Sequence, residues 1–467
     1  MKMDKPLPFY LKSLLTVAIL SLSLSVNAET PDANGIVYVN INVSGGSGSG
    51  NSWANATTNL QGAINASGAS KVFVAIGNYP SPTNGFVMKN NVAIYGGFDP
   101  DNNIKTLADA RILPASGDGF GSILNGQNAK PVIWNVFTSA TAMYNTAVLD
   151  GFTISGGKVT GNGGGIHNEY ASPTLTNLVI KNNNASNNGG GMYNLSSSPM
   201  LDHVTISENT VDNRGGGMYN TSTSSPALTN MFINGNTADY GGGMYNNGSS
   251  SPTLTNVTLA GNMAGTGGGM RNSDGSYPKV YNTIILGNRN GIDNDAAGLD
   301  AVSNRNLIQT GNAASGAEFD GTATANTTPA DIFTDFANGN YTLKTGSYAV
   351  DAGNNVLYNG LDGNTKDLAG NTRLYGSAID LGAYEYQGTL PVSLISFTAK
   401  ADGNYAKLQW TTANETNNKG FIIYRSGNDG VFVKLGDVQA NDYCAPIYLH
   451  RLLAPKGHQL LQTGTNR

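Results

Sequence analysis

The sequence predicts an all-β protein, a right-handed parallel β-helix with a period of 26 residues followed by a partial small β-sandwich module. The first observation is a motif that recurs at a fixed interval, as GGGIHN, GGGMYN three times and GGGMRN, at 163–168, 189–194, 215–220, 241–246 and 267–272. The second is an apolar hexapeptide that keeps almost the same interval. The third is a composition that disfavours helices. A period of this size is typical of solenoids, in which each repeat contacts only its neighbours.

The composition favours short strands and tight turns. The 467-residue chain contains 61 glycines and only 12% charged residues. Asn, Ser and Thr are abundant, and these residues weaken helices because their side chains compete for backbone hydrogen bonds. The net charge of −5 provides no basic patch, so we expect no nucleic-acid partner. The single cysteine, Cys444, lies near the end of the sequence, so coil stacking rather than disulfides must provide rigidity.

Residues 1–28 have the pattern of an export signal. A lysine-containing start precedes an apolar stretch at 14–24, and a small-residue cleavage site follows at 26–28. The apolar stretch is short for a membrane span, so we predict cleavage, with an uncleaved anchor as the alternative. No later stretch is long enough to span a bilayer, so we expect no transmembrane segment in the mature chain.

After the signal, short apolar segments alternate with turn residues. Strands are predicted at 36–43, 71–76, 85–88 and 91–95, and a short helix at 60–66. A helix in this place would cap the open end of the solenoid, since exposed strand edges invite association with other chains.

From residue 148 onward, the apolar hexapeptide marks one strand per coil. Its copies begin at Leu149, Leu175, Leu201, Leu228, Leu254 and Val280, and the one step of 27 places an extra residue in loop 221–225. A proline precedes five copies, where its fixed φ and missing N–H suit the turn into a strand. The interior is predicted to be filled by a file of apolar residues, Ile180, Ile206, Ile233, Leu259 and Ile285.

Asparagine recurs in three files. They are Asn168, Asn194, Asn220, Asn246 and Asn272; Asn183, Asn209, Asn236, Asn262 and Asn288; and Asn177, Asn230, Asn256 and Asn282, which His203 interrupts. Equivalent residues of successive coils lie about 4.8 Å apart. Stacked amides at that spacing can hydrogen-bond along the file, so we predict structural ladders. The glycine triplets are predicted to form corners, because the Lys and Ser/Thr of a phosphate loop do not follow them.

Several segments resemble known families. SWANATTNLQGAI, VFVAIGNY and FVMKNNVAIYGGF, within 36–98, look like the N-terminal half of secreted bacterial right-handed parallel β-helix proteins of the pectin lyase-like fold. The Asn and Gly-Gly-Gly pattern resembles the repeats of polymorphic outer-membrane proteins. SYAVDAGNN, DLAGNTRL and AIDLGAYEY, at 347–355, 367–374 and 378–386, look like the end of a choice-of-anchor Q domain. The resemblance implies one solenoid over 29–388, or roughly 13 coils.

The sequence pattern changes near residue 389. The alternating strands of 389–441 resemble an incomplete fibronectin type III-like module of type IX secretion cargo, which implies the surface of a Gram-negative bacterium or the extracellular space. Residues 442–467 lack alternation, and we expect disorder from about 449. Our hypothesis for this aberrant tail is a frameshift, because the next reading frame can encode the missing family strand.

Residues suited to catalysis are sparse. Asp212 and Asp239 could neighbour each other on adjacent coils and bind Ca²⁺, but solvated turn residues are the favoured interpretation, because calcium takes six or more oxygens. We therefore predict no cofactor. His167 replaces the Tyr of GGGMYN and is expected to face solvent or a loop. His203 is expected to be structural, and no His/Cys metal spacing or paired carboxylates of a glycosidase are present.

The most suggestive surface prediction is a strip of tyrosines, Tyr193, Tyr219 and Tyr245. In GGGMYN the Met and Tyr side chains point to opposite faces, so the apolar Met should face the core and the Tyr should face outward. An outward strip would suit stacking on sugars or on a cell-surface polymer. The favoured function is a secreted, non-catalytic scaffold or adhesin. The alternatives are a polysaccharide lyase or glycosidase, and a passive spacer.

Overall fold

The computed structural model describes residues 28–114, 121–290, 292–294, 299, 305–308 and 327–388, and the strand residues of the C-terminal region given below. Residues 1–27 of the predicted signal lie outside the described residues. The predicted architecture is confirmed: the chain is nearly all-β and forms a parallel β-solenoid of about 8 turns with ~26 residues per turn.

The regular coils contribute strands to three faces, which we call the long, short and glycine faces. Strands on each face pair in parallel with their equivalents one coil later. The long face contains Ile36–Val39, Lys71–Ala75, Gly77–Pro80, Ala93–Phe98, Ser122–Lys130, Val148–Val159, Thr174–Lys181, Met200–Ser207, Ala227–Asn234, Thr253–Ala260, Lys279–Tyr281, Ile284–Ile285 and Leu307–Ile308. The short face contains Asn184–Ala185, Thr210–Val211, Thr237–Tyr240 and Met263–Thr266. The glycine face contains Ile133–Val136, Ile166–Glu169, Met192–Leu195, Met218–Thr221, Met244–Asn246, Met270–Asn272 and Ile292–Asn294.

The predicted interior files form the core. Leu175, Leu201 and Leu228 pair in register on the long face, and each is at most 2% exposed. Ile180, Ile206 and their equivalents in the next coils are fully buried in the same core. The prolines immediately precede the long-face strands, as predicted, and their carbonyls accept the N–H that opens the strand one coil later, as from Met200 N to Pro173 O at 3.0 Å.

The N-terminal end carries the predicted short helix, Leu60–Asn65, which buries Leu60, Ala63 and Ile64 against the first strands. Asn59 caps this helix by accepting the N–H of Gly62. The strand predicted at 85–88 is absent, and only an isolated bridge from Phe86 to Ile133 occurs there. Short 3₁₀ turns lie at Trp53–Asn55, Pro100–Asn102, Phe336–Asn338 and Asn355–Leu357.

The glycine triplets form corners, and their three positions need glycine for different reasons. The first residue has positive φ, for example +70° at Gly215. A Cβ on the second or third residue would meet the adjacent coil, at 2.5 Å from Gly242 O for Gly216 and 2.5 Å from Gly243 O for Gly217. Neighbouring coils can therefore approach at these corners only without side chains.

Residues 327–388, which we call the strap, do not continue the coils. They include the helix Pro329–Ile332 and an antiparallel hairpin of Phe333–Asp335 and Asn340–Leu343. The strap packs on the outer surface of the long face, where Phe232 meets Tyr341 and Tyr384. The expected count of roughly 13 coils is therefore wrong, because the strap covers the solenoid laterally instead of extending it.

The C-terminal region consists of antiparallel strands. They form two three-stranded sheets, one of Leu394–Asp402, Tyr405–Thr412 and Ile447–Leu449, the other of Phe432–Gln439, Gly420–Ser426 and Thr463–Thr465. The incomplete module predicted at 389–441 thus supplies four strands. The stretch 442–467, expected to lack regular structure, adds one short strand to an edge of each sheet.

Candidate functional site

The first predicted asparagine ladder is a continuous chain of buried side-chain hydrogen bonds. Each Nδ2 donates to the Oδ1 of the next coil, from Asn168 to Asn194 at 3.0 Å and onward to Asn272 at 2.8 Å. The ladder begins one coil earlier than predicted, at Asn135. Asn135 was missed because it lies 33 residues before Asn168, outside the regular period.

The second predicted ladder is bonded more densely. The Oδ1 of Asn209 accepts both the backbone N–H and the Nδ2–H of Asn183, each at 3.0 Å. The Nδ2 of Asn209 donates onward to Ile180 O and to Asn236 Oδ1. This arrangement repeats through Asn262 and Asn288. One amide thus satisfies several buried backbone and side-chain groups, which explains why asparagine recurs at this corner.

The third asparagine file is not a continuous ladder, because only one bond runs along it, from Asn282 Nδ2 to Asn256 Oδ1 at 3.3 Å among the described residues. All five members, including His203, have positive φ between 47° and 54°. Four of them hold the strap, as when Asn256 donates to Asp380 O at 2.8 Å and Asn282 donates to Asn354 O at 3.1 Å, whereas Asn177 donates to Asp150 Oδ1 within the coils at 2.9 Å. Asparagine fits because it tolerates the left-handed conformation and carries a donor that reaches a carbonyl.

The predicted tyrosine strip is buried. Met218 and its equivalents occupy the central core and the tyrosines the opposite side, as alternation requires. Tyr193, Tyr219 and Tyr245 are nevertheless only 7%, 5% and 5% exposed, so the expected exposed strip is wrong. Their ring centroids are 5.5 Å apart, because the coil spacing brings rings of one file into contact and each ring covers the next.

The tyrosines belong to a longer stack, which we call the aromatic column. Trp134 and His167 extend it at one end, with ring centroids 4.1 Å apart, and Arg271 lies 5.9 Å from the Tyr245 ring at the other. His167 is therefore buried between two rings and does not face solvent, and this burial lowers its pKa despite the nearby Asn162 carbonyl and Glu169. Burial also raises the pKa of Tyr193 to about 12, so the phenol stays neutral.

A row of exposed and half-buried hydroxyl groups runs along the corner before each long-face strand. We call it the serine edge, and it consists in register of Tyr144, Ser172, Ser198, Ser225, Ser251 and Tyr277. Each serine Oγ accepts the backbone N–H of the next coil at 2.8–3.0 Å. Tyr144 and Tyr277 are 60% and 46% exposed. The sequence contains a feature that could have identified this row: each of these serines, and Tyr277, immediately precedes a repeat proline.

Charged side chains meet on the long face beside the strap. Asp150 and Asp202 occupy one file, two coils apart with Thr176 between them, which places their backbones roughly 10 Å apart. Arg111 binds Asp150 at 3.0 Å, and His203 Nδ1 lies 2.9 Å from Asp202 Oδ1. Each carboxylate thus already has a partner. The Nε2 of His203 also lies 3.2 Å from the strap carbonyl of Lys366, so His203 is hydrogen-bonded on both ring nitrogens.

Asp212 and Asp239 are exposed residues at the short face. In the described part of the chain, no group of three or more His, Cys, Asp and Glu side chains could hold a metal ion. Neither described helix has the length and apolar character needed to cross a membrane. Comparison with protein-family models, curated proteins and solved structures gave no match.

Proposed function

We propose that the protein is a secreted, non-catalytic β-solenoid scaffold that binds extended glycans or similar polymers at the surface of a Gram-negative cell. The observation that carries the proposal is the serine edge. Its four serine hydroxyl oxygens are fixed by backbone N–H groups, the serines are exposed or half-buried, and an exposed tyrosine flanks the row at each end. Fixed hydroxyls with exposed aromatic rings suit sugars, which present both hydroxyl groups and apolar ring faces.

The dimensions of the serine edge suit a linear ligand. Tyr144 and Tyr277 are five coil steps apart, or roughly 24 Å at a spacing of about 4.8 Å. The intervening serines repeat at the coil spacing along a straight line. A polymer lying parallel to the solenoid axis would meet one hydroxyl per coil and one ring at each end.

The aromatic column serves this function indirectly. Because the rings of its three tyrosines are covered, they cannot stack on a ligand, and we assign the column to the stiffness of the solenoid. We therefore propose that the ligand contacts the exposed Tyr144 and Tyr277 and not the predicted tyrosine strip.

The experiment is a glycan array run with the purified chain, together with assays for reducing ends and unsaturated products. We expect binding without turnover. Replacing Tyr144 and Tyr277 by Ala should weaken binding about tenfold for each ring, or about 1.4 kcal/mol. Tyr240→Ala is the matched control, because Tyr240 is 40% exposed but lies on the short face. Binding by the double variant at wild-type affinity would contradict the proposal.

Glycoside hydrolysis is the second candidate, and it rests on Asp150 and Asp202. Both residues lie in one file with their backbones roughly 10 Å apart. Inverting glycosidases hold their two carboxyl groups about 6.5–9.5 Å apart. The pairing of the two aspartates with Arg111 and His203 favours structural roles instead. Sugar release that disappears in Asp202→Asn would support hydrolysis over the scaffold.

A further inference from the structure

One position of the third asparagine file departs from the repeat where the strap meets the coils. Four members of this file are asparagines, and the fifth is His203. The neighbouring Asn230 uses a neutral amide, donating to Tyr358 Oη at 2.6 Å and to Lys366 O at 3.3 Å. The fold therefore does not require histidine at this position, and its special property is that it titrates near neutral pH.

The geometry around His203 requires two donors. Nδ1 lies 2.9 Å from Asp202 Oδ1, and Nε2 lies 3.2 Å from Lys366 O. A carboxylate oxygen and a carbonyl oxygen both only accept hydrogen bonds. Neutral imidazole carries one N–H, so it can satisfy only one of them, whereas the imidazolium ion satisfies both.

We propose that the strap is a pH-sensitive clamp, which is held on the coils when His203 is protonated and loosens when His203 loses its proton. Protonated His203 connects Asp202 of the long face to the strap backbone through two charge-assisted hydrogen bonds. Deprotonation removes the charge and one of these two hydrogen bonds, and leaves the longer contacts of Asn230 Nδ2 with Lys366 O at 3.3 Å and Asp202 Oδ1 at 3.4 Å. This inference is independent of glycan binding.

The groups around His203 also favour its protonated form. Burial by itself lowers the pKa of His203, but Asp202 and the backbone carbonyls of Lys366 and Asp367 outweigh it and raise the pKa above its usual value. The strap presents the exposed Lys366 side chain, the Asp367 carboxylate and Tyr358, while Asn177 and Asn230 flank His203 in its own file. A raised pKa in the folded state means that clamping is complete below the unfolded value and is lost as pH rises through the folded value.

The test compares the full chain with two variants. In each variant, one histidine is replaced by the residue type that occupies the equivalent position in other coils. His203→Asn removes titration but keeps a neutral donor, and His167→Tyr changes the other described histidine, which lies in the aromatic column. Hydrogen exchange of strap amides, corrected for intrinsic rates, is followed from about pH 5 to about pH 9. NMR reports the titration of His203.

We expect the strap opening constant to rise with pH by up to about tenfold per unit in the wild type because of His203. This component should disappear in His203→Asn and persist in His167→Tyr, and the pKa of His203 should exceed 6.5. Asp202→Asn should lower that pKa. The proposal is overturned if wild type and His203→Asn share one pH profile, or if His203 titrates at or below its ordinary value.

Discussion

The coils and the strap are stabilised by different kinds of contact. Within the ladders, identical uncharged residues one coil apart bond to each other, at a spacing of 26 or 27 positions in the regular repeats and 33 at the first step. The strap reaches the coils through residues 72 to 163 positions away, such as Asn354 with Asn282 and Lys366 with His203. Repetition therefore builds the solenoid from local, neutral contacts, while the strap depends on particular side chains.

The strap also contains most of the buried charged residues among those described. Arg373 is fully buried beside Glu385 and donates to the carbonyls of Asp380 and Gly382. Asp367 accepts the backbone N–H groups of Asn371 and Glu385. These residues belong to the motifs DLAGNTRL and AIDLGAYEY, so the motifs form the interior of the strap. Buried charges are sensitive both to pH and to loss of a partner, whereas the amide ladders do not titrate.

The largest effect should come from breaking a ladder. Asn209→Ala removes the partner of Asn183 N–H and of Ile180 O and leaves both buried. We expect a loss of about 4 kcal/mol in the free energy of unfolding of the coils. Thermal unfolding followed by circular dichroism measures it. Asn187→Ala, at an exposed site, is the control, and similar losses in both variants would contradict the ladder interpretation.

Removing the buried positive charge of Arg373 should destabilise the docking of the strap and leave the coils unaffected. Arg373→Met leaves Asp367, Asp380 and Glu385 buried without a positive partner. We expect the strap to lose about 3 kcal/mol of docking stability while the coils remain folded. Hydrogen exchange resolved by peptide separates the two regions. Loss of protection in the coil peptides as well would show that the strap is part of the solenoid's cooperative unit.

Alkaline pH should weaken the strap further. Burial raises the pKa of Glu385 to about 8 and that of Asp380 to about 6. Because both folded-state pKa values exceed the unfolded ones, the contribution of Asp380 is lost as pH rises through about 6 and that of Glu385 as pH rises through about 8. Strap protection should fall over that range while coil protection stays constant after correction for intrinsic exchange.

Glu385→Gln should remove the fall in strap protection that is expected as pH rises through about 8. It should also reduce protection at every pH, since both carboxyl oxygens of Glu385 accept backbone N–H groups and an amide oxygen replaces only one of them. An unchanged profile in this variant would assign the alkaline effect to another group.

The smallest effect concerns the aromatic column. Tyr219→Phe keeps the ring and should change the free energy of unfolding by less than about 0.5 kcal/mol. Tyr219→Leu removes two ring contacts and should cost about 1–2 kcal/mol. Chemical denaturation measures both. If Phe proved as costly as Leu, the hydroxyl group rather than stacking would hold the column.

The site was harder to predict than the fold. Alternation assigned Met218 to the core and Tyr219 to the opposite side, but it carries no information on what covers an outward residue. The ring of Tyr219 is covered by Tyr193 and Tyr245. Trp134 escaped notice because the segment around it does not keep the period.

The sequence by itself determined the period, the in-register strands, the two asparagine ladders and the glycine corners. Each of these follows from an identical residue meeting its copy one coil away, so the spacing along the chain fixes the spacing in space. Only the tertiary structure decided where the strap lies, which histidine it meets and which tyrosines remain exposed. Those contacts join residues as far apart as His203 and Lys366, and no local pattern encodes them.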